Sequence, residues 1–314
     1  MPLPIPLRYV LVYAFESSDG VYIVDAGWDT DDAFASLDGG LREAGFGAAD
    51  IRGVMVTHIH ADHWGLAGRL REHSGAWIAL HPADAALLHD RYEEPQGLLV
   101  RMERMLRRLD APASEVQRLR DASLAMIDFV DKVRPDVLLE DGDRPEVPGW
   151  DLTALWTPGH SPGHLCFWEA GTRLVLTGDC VLPRITPHVT LNAQSSDDPL
   201  GDFLRSLDRL DELDADGALP AHEWRYDDHR ARLRELQGHH EARFAEVLDA
   251  LQAGFDTAWA VAPHMDWASP WGELDTLQSR LAVGEAAAHL RALTRRGVLR
   301  EIDGEPIRWE VVAS

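Results

Sequence analysis

The sequence predicts an α/β protein, and three features of the 314-residue chain carry that expectation. Short β-branched and aromatic runs alternate with amphipathic helical stretches from residue 7 to about residue 82, the order that builds a sheet covered by helices. One of those runs, Val54–Thr57, leads straight into His58-Ile59-His60-Ala61-Asp62-His63, so a buried strand delivers three imidazoles and a carboxylate to one loop. The pattern then turns wholly helical between residues 83 and 134 before strands return.

Taken in order, Leu7–Phe15 reads as a first strand, Ser17-Ser18-Asp19-Gly20 as a turn and Val21–Asp25 as a second strand. Residues 30–45 follow as an amphipathic helix ending near Gly45. After the histidine loop come a helix from about Leu66 to Glu72 and a strand over Ala76–Pro82, in which His81 reads as structural. Within residues 84–134, Leu98, Leu99, Met102, Met105, Leu106 and Leu109 recur at helical spacing. Leu119, Leu124, Met126, Ile127, Phe129 and Val130 form a second group after Pro112. Such stripes ordinarily face a core. Here they form a helical insertion rich in adaptable Met and Leu, placed to roof a site and line it with an apolar substrate pocket.

Val137–Pro148 and Trp150–Trp156 return to strand, and residues 199–213 form another amphipathic helix. Composition changes near Asp228, which divides the chain into residues 1–228 and a tail over 229–314. The tail reads as a long helix over 229–253, two shorter ones over 276–283 and 285–297, and a hairpin over Val298–Val312 with Asp303-Gly304 at its tip.

The composition is that of a soluble globular protein, 45% hydrophobic and 26% charged, but 30 basic residues stand against 53 acidic ones for a formal charge of −23. Such a chain is repelled by phosphate backbones and anionic membranes, which argues against nucleic acid or a membrane as partner. Two cysteines, Cys166 and Cys180, imply no disulfide framework. With no signal-peptide pattern and no membrane-length apolar run, the expected location is the cytoplasm.

At a strand end, side chains two apart point the same way, so His58 and His60 can converge on one point. Asp62 and His63, where the chain turns into a helix, can aim at a second point nearby. Imidazole and carboxylate together suit zinc and similar divalent ions. Thr57-His58-Ile59-His60-Ala61-Asp62-His63 resembles the HxHxDH motif of the metallo-β-lactamase-fold hydrolases. Three further segments resemble that family's remaining motifs in the family's order: Thr157-Pro158-Gly159-His160, Val175-Leu176-Thr177-Gly178-Asp179, and Leu219-Pro220-Ala221-His222. The last departs from the usual pattern in having Ala221 where glycine is commoner.

The resemblance covers roughly residues 5–225. It implies an αββα metallo-β-lactamase sandwich carrying the helical insertion, followed by a small winged-helix-like C-terminal domain of the kind some glyoxalase II-like members carry. It implies two divalent metal ions, zinc first with iron or manganese as alternatives. His58, His60 and His160 would hold one ion, Asp62, His63 and His222 the other, and Asp179 would bridge. His164 competes with His160 for its place, but the motif match favours His160. Asp25 would support the site from behind the ligands, and Asp62 would also orient the attacking hydroxide and move its proton. Cys180 reads as a small buried side chain, and residues 182–188 as a loop lining the cleft.

The expected activity is hydrolysis of an ester or thioester carbonyl in a small acyl substrate. The alternatives are a lactonase and an RNA-cleaving nuclease. Arg101, Arg104, Arg107 and Arg108 offer a helix face that could grip the phosphates of a CoA-type carrier. A winged-helix tail raises nucleic acid again through Arg291, Arg295 and Arg296 on the helix Gly284–Gly297. The tail is nevertheless expected to pack on the catalytic domain or on another subunit of a homo-oligomer.

Overall fold

The computed structural model of the protein describes residues 1–3, 7–121 and 129–312. The first strand, β1 (Tyr13–Ser17), starts later than its apolar run suggests. Residues 7–12 instead cross toward the other half of the molecule, where the Leu11 N–H donates to the Ala221 carbonyl at 2.7 Å. β1 pairs antiparallel with β2 (Gly20–Val24) through the expected turn. The helix α1 (Asp31–Glu43) begins at Thr30, whose hydroxyl accepts from the Ala33 N–H, with Asp31 and Asp32 in its first turn. β3 (Ile51–Met55), the four-residue α2 (Ala61–Trp64), α3 (Ala67–Ser74) and β4 (Trp77–Leu80) follow.

Strands β2, β3, β4 and the two-residue β5 (Val137–Leu138) run parallel and, with β1, make a sheet of order β1-β2-β3-β4-β5. The strand expected over Val137–Pro148 is thus cut to two residues; beyond them the chain turns at Asp141-Gly142. β6 (Leu152–Trp156), β7 (Leu165–Glu169), β8 (Leu174–Gly178) and β9 (Gly217–Pro220) form the second sheet, antiparallel except for the parallel β8–β9 pair.

Period-two alternation sorts these strands into layers. Tyr22, Val24, Met55 and Ala79 from the first sheet share one buried cluster with Leu152, Ala154, Leu165, Phe167 and Leu176 from the second. Their neighbours Val21, Ile23, Val54, Ile78 and Leu80 point the other way and pack with Leu37 and Leu41 of α1 and Leu70 of α3. Cys166 and Val175 face outward from the second sheet, against Phe203 and Leu207 of the helix at residues 199–211. The result is the expected helix–sheet–sheet–helix sandwich.

The insertion contains α4 (Pro82–Ala85), a π-helical turn at His89–Glu93, α5 (Gln96–Arg108) and α6 (Ala113–Asp121). Leu124, Met126 and Ile127 of the second predicted stripe lie outside the described residues. Phe129 and Val130 are not in an α-helix; they pack back on the first sheet's helices, with Phe129 stacked on Trp28 at 4.4 Å.

The helix α7 (Pro199–Asp211) covers the second sheet, and the tail adds α8 (His229–Gln252), α9 (Ala258–Val261), α10 (Thr276–Arg295) and the hairpin β10 (Leu299–Ile302)–β11 (Arg308–Val311). The two helices expected over 276–297 are one. An Asp275–Gln278 capping box starts it, and Gly284, the residue between the two expected helices, is buried with its Cα side against Thr190. Leu233 and Val247 of α8, Leu290 and Leu293 of α10 and Trp309 of β11 share a single cluster with α7 and the second sheet. Among the described residues, no helix is long and apolar enough to cross a membrane.

Candidate metal centre and active site

The facing edges of the two sheets deliver every residue named from the motifs to one place. Beyond β3 the chain carries His58, buried, and His60, which sits at the N-terminus of α2; Asp62 and His63 occupy that short helix. The loop between β6 and β7 brings His160, the end of β8 brings Asp179, and the end of β9 brings His222. Two glycines make the close approach possible. At Gly178, with φ of +50°, a Cβ would lie 2.7 Å from His164 Nε2; at Gly159, with φ of +141°, it would lie 2.5 Å from Phe203.

Two groups of ligand atoms result. His58, His60 and His160 offer atoms all within 4.8 Å of one another, and so do Asp62, His63 and His222. In the first group, His60 Nδ1 lies 2.9 Å from His58 Nε2 and 3.0 Å from His160 Nε2. Asp179 stands between the groups: Oδ2 is 3.5 Å from His160 Nε2, while Oδ1 is 3.6 Å from His63 Nε2 and 3.3 Å from His222 Nε2. The groups abut, since His58, His63 and Asp179 also fall within that span. Asp62 reaches His222 Nε2 at 3.4 Å and His63 Nε2 at 3.7 Å.

The rear nitrogens explain the orientation. The Nδ1 of His160 lies 2.9 Å from the His188 carbonyl, and that of His222 3.0 Å from the Tyr9 carbonyl. A carbonyl only accepts, so each Nδ1 carries a proton and each Nε2 is the nitrogen turned to the centre. His63 Nδ1 lies 2.9 Å from Asp25 Oδ2, and His58 Nδ1 3.0 Å from the Thr57 hydroxyl, which in turn donates to Asp25. Asp25 therefore supports two ligand candidates at once, as expected. It does so with φ of +67°, and Glu223, beside His222, has φ of +70°; both are sparsely populated for residues with a Cβ.

The donor set fits divalent cations. His63 Nε2, Asp179 Oδ1 and His222 Nε2 are buried, have no hydrogen-bond partner among the described residues and converge on one another. Buried polar atoms left without a partner are costly unless an ion or a hydrogen-bonding group meets them. Burial, reinforced by neighbouring imidazoles, drives His58 and His60 well below the usual histidine pKa, and burial drives His160 down to about 4. Those rings are neutral, as ligation requires. Burial opposes charge on His63 and His222 too, yet the surrounding carboxylates carry His63 well above its usual value and His222 up to about 10. Carboxylates that hold protons on two imidazoles hold a dication in the same place.

Both ring nitrogens of His164 are engaged away from the two ligand groups. Its Nε2 accepts from the Asp179 N–H at 3.1 Å and its Nδ1 meets the Thr157 hydroxyl at 2.9 Å, so it braces the bridging position from behind. His81 caps α4 and stacks on Trp156 and Cys180 is buried, both as expected, and Cys166 is likewise a buried free thiol. Sequence reasoning missed Asp84. Fully buried, it accepts from the Ile59 N–H at 2.8 Å, the Ser161 hydroxyl at 2.8 Å and the Gly163 N–H at 2.7 Å. It thereby ties the His58–His60 loop to the His160 loop. The only cue was a carboxylate in the first turn of a helix that opens on Pro82.

The insertion roofs this centre. Leu98, Leu99, Met102, Met105, Leu106 and Leu109 line a cleft of about 1130 Å³, counting the part open to solvent, whose floor includes His60 and His160. The loop after Asp179 also contributes, through His188 and residues 190–194; residues 182–187, expected to line the cleft, do not. Arg232 of α8 holds that loop by donating to the carbonyls of Leu182, Arg184 and Ile185.

The arginines singled out in the insertion do not line the cleft. Arg101 pairs with Asp90 at 2.5 Å, Arg107 with Glu103 at 2.9 Å and Arg108 with Asp303, while Arg104 is exposed. Those on α10 are likewise engaged, Arg291 and Arg295 with Asp197 and Arg296 with Glu241. The helix that carries them is mostly buried.

Comparison with known proteins agrees with this geometry. Residues 5–222 match the family model of the metallo-beta-lactamase superfamily, and residues 244–311 match that of the metallo-beta-lactamase-like C-terminal domain. The metallo-beta-lactamase family protein TTHA1429 from Thermus thermophilus superposes with a TM-score of 0.83 at 32% identity, over 99% of this chain and 96% of that one. "Probable metallo-hydrolase YqjP" of Bacillus subtilis is 23% identical over 90% of this chain and 92% of its own length. The acyl-coenzyme A thioesterase MBLAC2 of Gallus gallus is 29% identical over 54% of this chain and 57% of its own.

Proposed function

Because the chain belongs to the metallo-beta-lactamase superfamily, we propose that its ligand cluster holds two divalent ions and that this metal-dependent hydrolase cleaves an ester or thioester of a small acyl substrate. The observation that carries the reading is the convergence of His63 Nε2, Asp179 Oδ1 and His222 Nε2, all orphaned, beside the His58–His60–His160 trio on the floor of an apolar cleft.

His58, His60 and His160 hold one ion; Asp62, His63 and His222 hold the other; Asp179 turns one oxygen to each group. Five imidazoles and two carboxylates suit zinc, with iron and manganese as alternatives. Such ions supply activation of water near neutral pH and polarisation of a carbonyl. The protein's own residues do the rest. Asp62 is half-buried at the mouth of the second group and orients the attacking water and accepts its proton. The Thr57, Asp25, His188 and Tyr9 contacts keep the imidazoles of His58, His63, His160 and His222 aimed at the centre.

The apolar wall favours an acyl chain over a polynucleotide, and the net charge of −23 works against RNA. The likeness to an acyl-coenzyme A thioesterase supports a thioester in particular.

The test is elemental analysis joined to a screen of acyl-CoA, lactone, β-lactam and single-stranded RNA substrates. We expect about two metals per chain, turnover fastest on a thioester or ester, and loss of both metal and activity in His58→Ala. Full activity without metal, or a preference for RNA or β-lactam, overturns the assignment.

A further inference from the structure

The cleft above the metal centre reverses the sign of the rest of the molecule. The chain as a whole carries 53 acidic residues, yet among the described residues no Asp or Glu lines this cleft, whereas two arginines do. Arg91 comes from the π-helical turn of the insertion, and Arg280 from the first turns of α10, so the pair forms only where insertion and tail meet.

Arg91 is held by Gln194, whose Oε1 accepts from it at 2.9 Å, and its guanidinium lies 5.7 Å from the Tyr92 ring centre. Its charge bears on Arg280. Burial, with that neighbouring charge, brings Arg280 down to about 10. Two guanidiniums lining one largely apolar cleft offer an anionic group charge-assisted hydrogen bonds that the neighbouring side chains of α5 do not.

Resting on the thioester and ester reading above, we propose that Arg91 and Arg280 bind an anionic oxygen group of the substrate, so that the enzyme prefers acyl compounds bearing a carboxylate or phosphate over neutral ones. The apolar side chains of α5 take the aliphatic portion, and the arginine pair sets which end enters and how far the scissile carbonyl lies from His60 and His160. The anion has two possible sources, a carboxylate on the acyl chain or a phosphate on the thiol carrier.

Calorimetry on the metal-loaded protein tests the site without turnover. Octanesulfonate, a poor metal ligand, serves as the anionic probe and octanol as its neutral counterpart. We expect octanesulfonate to bind at least about tenfold more tightly than octanol, with that ratio collapsing in Arg91→Met and Arg280→Met. Arg91→Lys retains the charge and keeps part of the ratio, which guards against a folding defect in the methionine variants.

Turnover then locates the source through pantetheine thioesters with and without a terminal carboxylate, and a neutral acyl thioester on pantetheine and on CoA. If the arginine variants lose their preference for the terminal carboxylate, the anion belongs to the acyl chain; if they lose it for CoA over pantetheine, it belongs to the carrier. Either result supports the proposal. Equal binding of octanesulfonate and octanol, or ratios unmoved by both variants, overturns it. Should no thioester be cleaved, the thioester reading falls while the calorimetry still decides the anion site.

Discussion

The carboxylate of Asp25 lies 2.9 Å from Nδ1 of His63, and the same carboxylate accepts the Thr57 hydroxyl that backs His58. One residue thus orients an imidazole in each ligand group. Losing such support costs about 10–100-fold in metal affinity in comparable sites. Asp25→Ala is expected to lower metal affinity by that order, measured by chelator competition, and Thr57→Val to have a smaller effect. Unchanged affinity in Asp25→Ala would remove Asp25 from this role.

Asp84 joins two ligand loops through three buried donors. Asp84→Ala strands all three, and hydrogen bonds to a charged group are individually worth about 1.5–3 kcal/mol. The variant should therefore lose roughly 3 kcal/mol or more of stability in urea titration, with kcat falling as the His58–His60 and His160 loops drift apart. Asp84→Asn keeps one acceptor and should fall between the two.

Met102 and Met105 of α5 line the cleft without contributing to the ligand groups. Each buried substrate methylene is worth about 0.8 kcal/mol, so kcat/KM should rise about fourfold per added methylene until the cleft is filled. Met102→Ala and Met105→Ala enlarge it and should move the optimum toward longer acyl chains, read from a chain-length series, with metal content unaltered. An unmoved optimum would make these side chains ordinary core.

A buried histidine pair makes the tail sensitive to acid. His240 Nδ1 lies 3.2 Å from His289 Nε2, with His239, Arg243 and Glu285 around them. Burial, then each other's charge and that of Arg243, drives His240 well below 6.5; burial also lowers His289. The unfolded chain takes up protons below pH 6.5 that the folded chain refuses, so stability is full above that pH and declines as pH falls beneath it. Denaturant titrations of the metal-loaded protein from pH 7 downward should show that decline, and His240→Phe should flatten it. An identical slope in the variant would show that other groups govern acid lability.

Much of the centre was legible because its parts are local. His58, His60, Asp62 and His63 stand within one short stretch at the end of an apolar strand, and the other three ligand candidates sit in compact motifs at strand or turn boundaries. The apolar runs over Val21–Asp25 and Val54–Thr57 likewise announced the buried strands β2 and β3. Helical spacing in α5 foretold the apolar roof, since a helix's face follows from its own residues.

What the sequence by itself determined is therefore the identity of the groups and the faces they occupy. Tertiary structure decided their partners. The carbonyls that turn the rings of His160 and His222 belong to residues 28 and 213 positions away, and a carbonyl acceptor leaves no trace in residue type. Asp84 became a strap only when two loops closed around it. The break read into residues 276–297 vanished because Gly284 packs tightly on Thr190, where a small residue permits contact without ending the helix. Arg91 and Arg280 share a cavity because the insertion and α10 pack over the same cleft, whereas periodicity assigns a residue to a face and leaves open which distant face it meets.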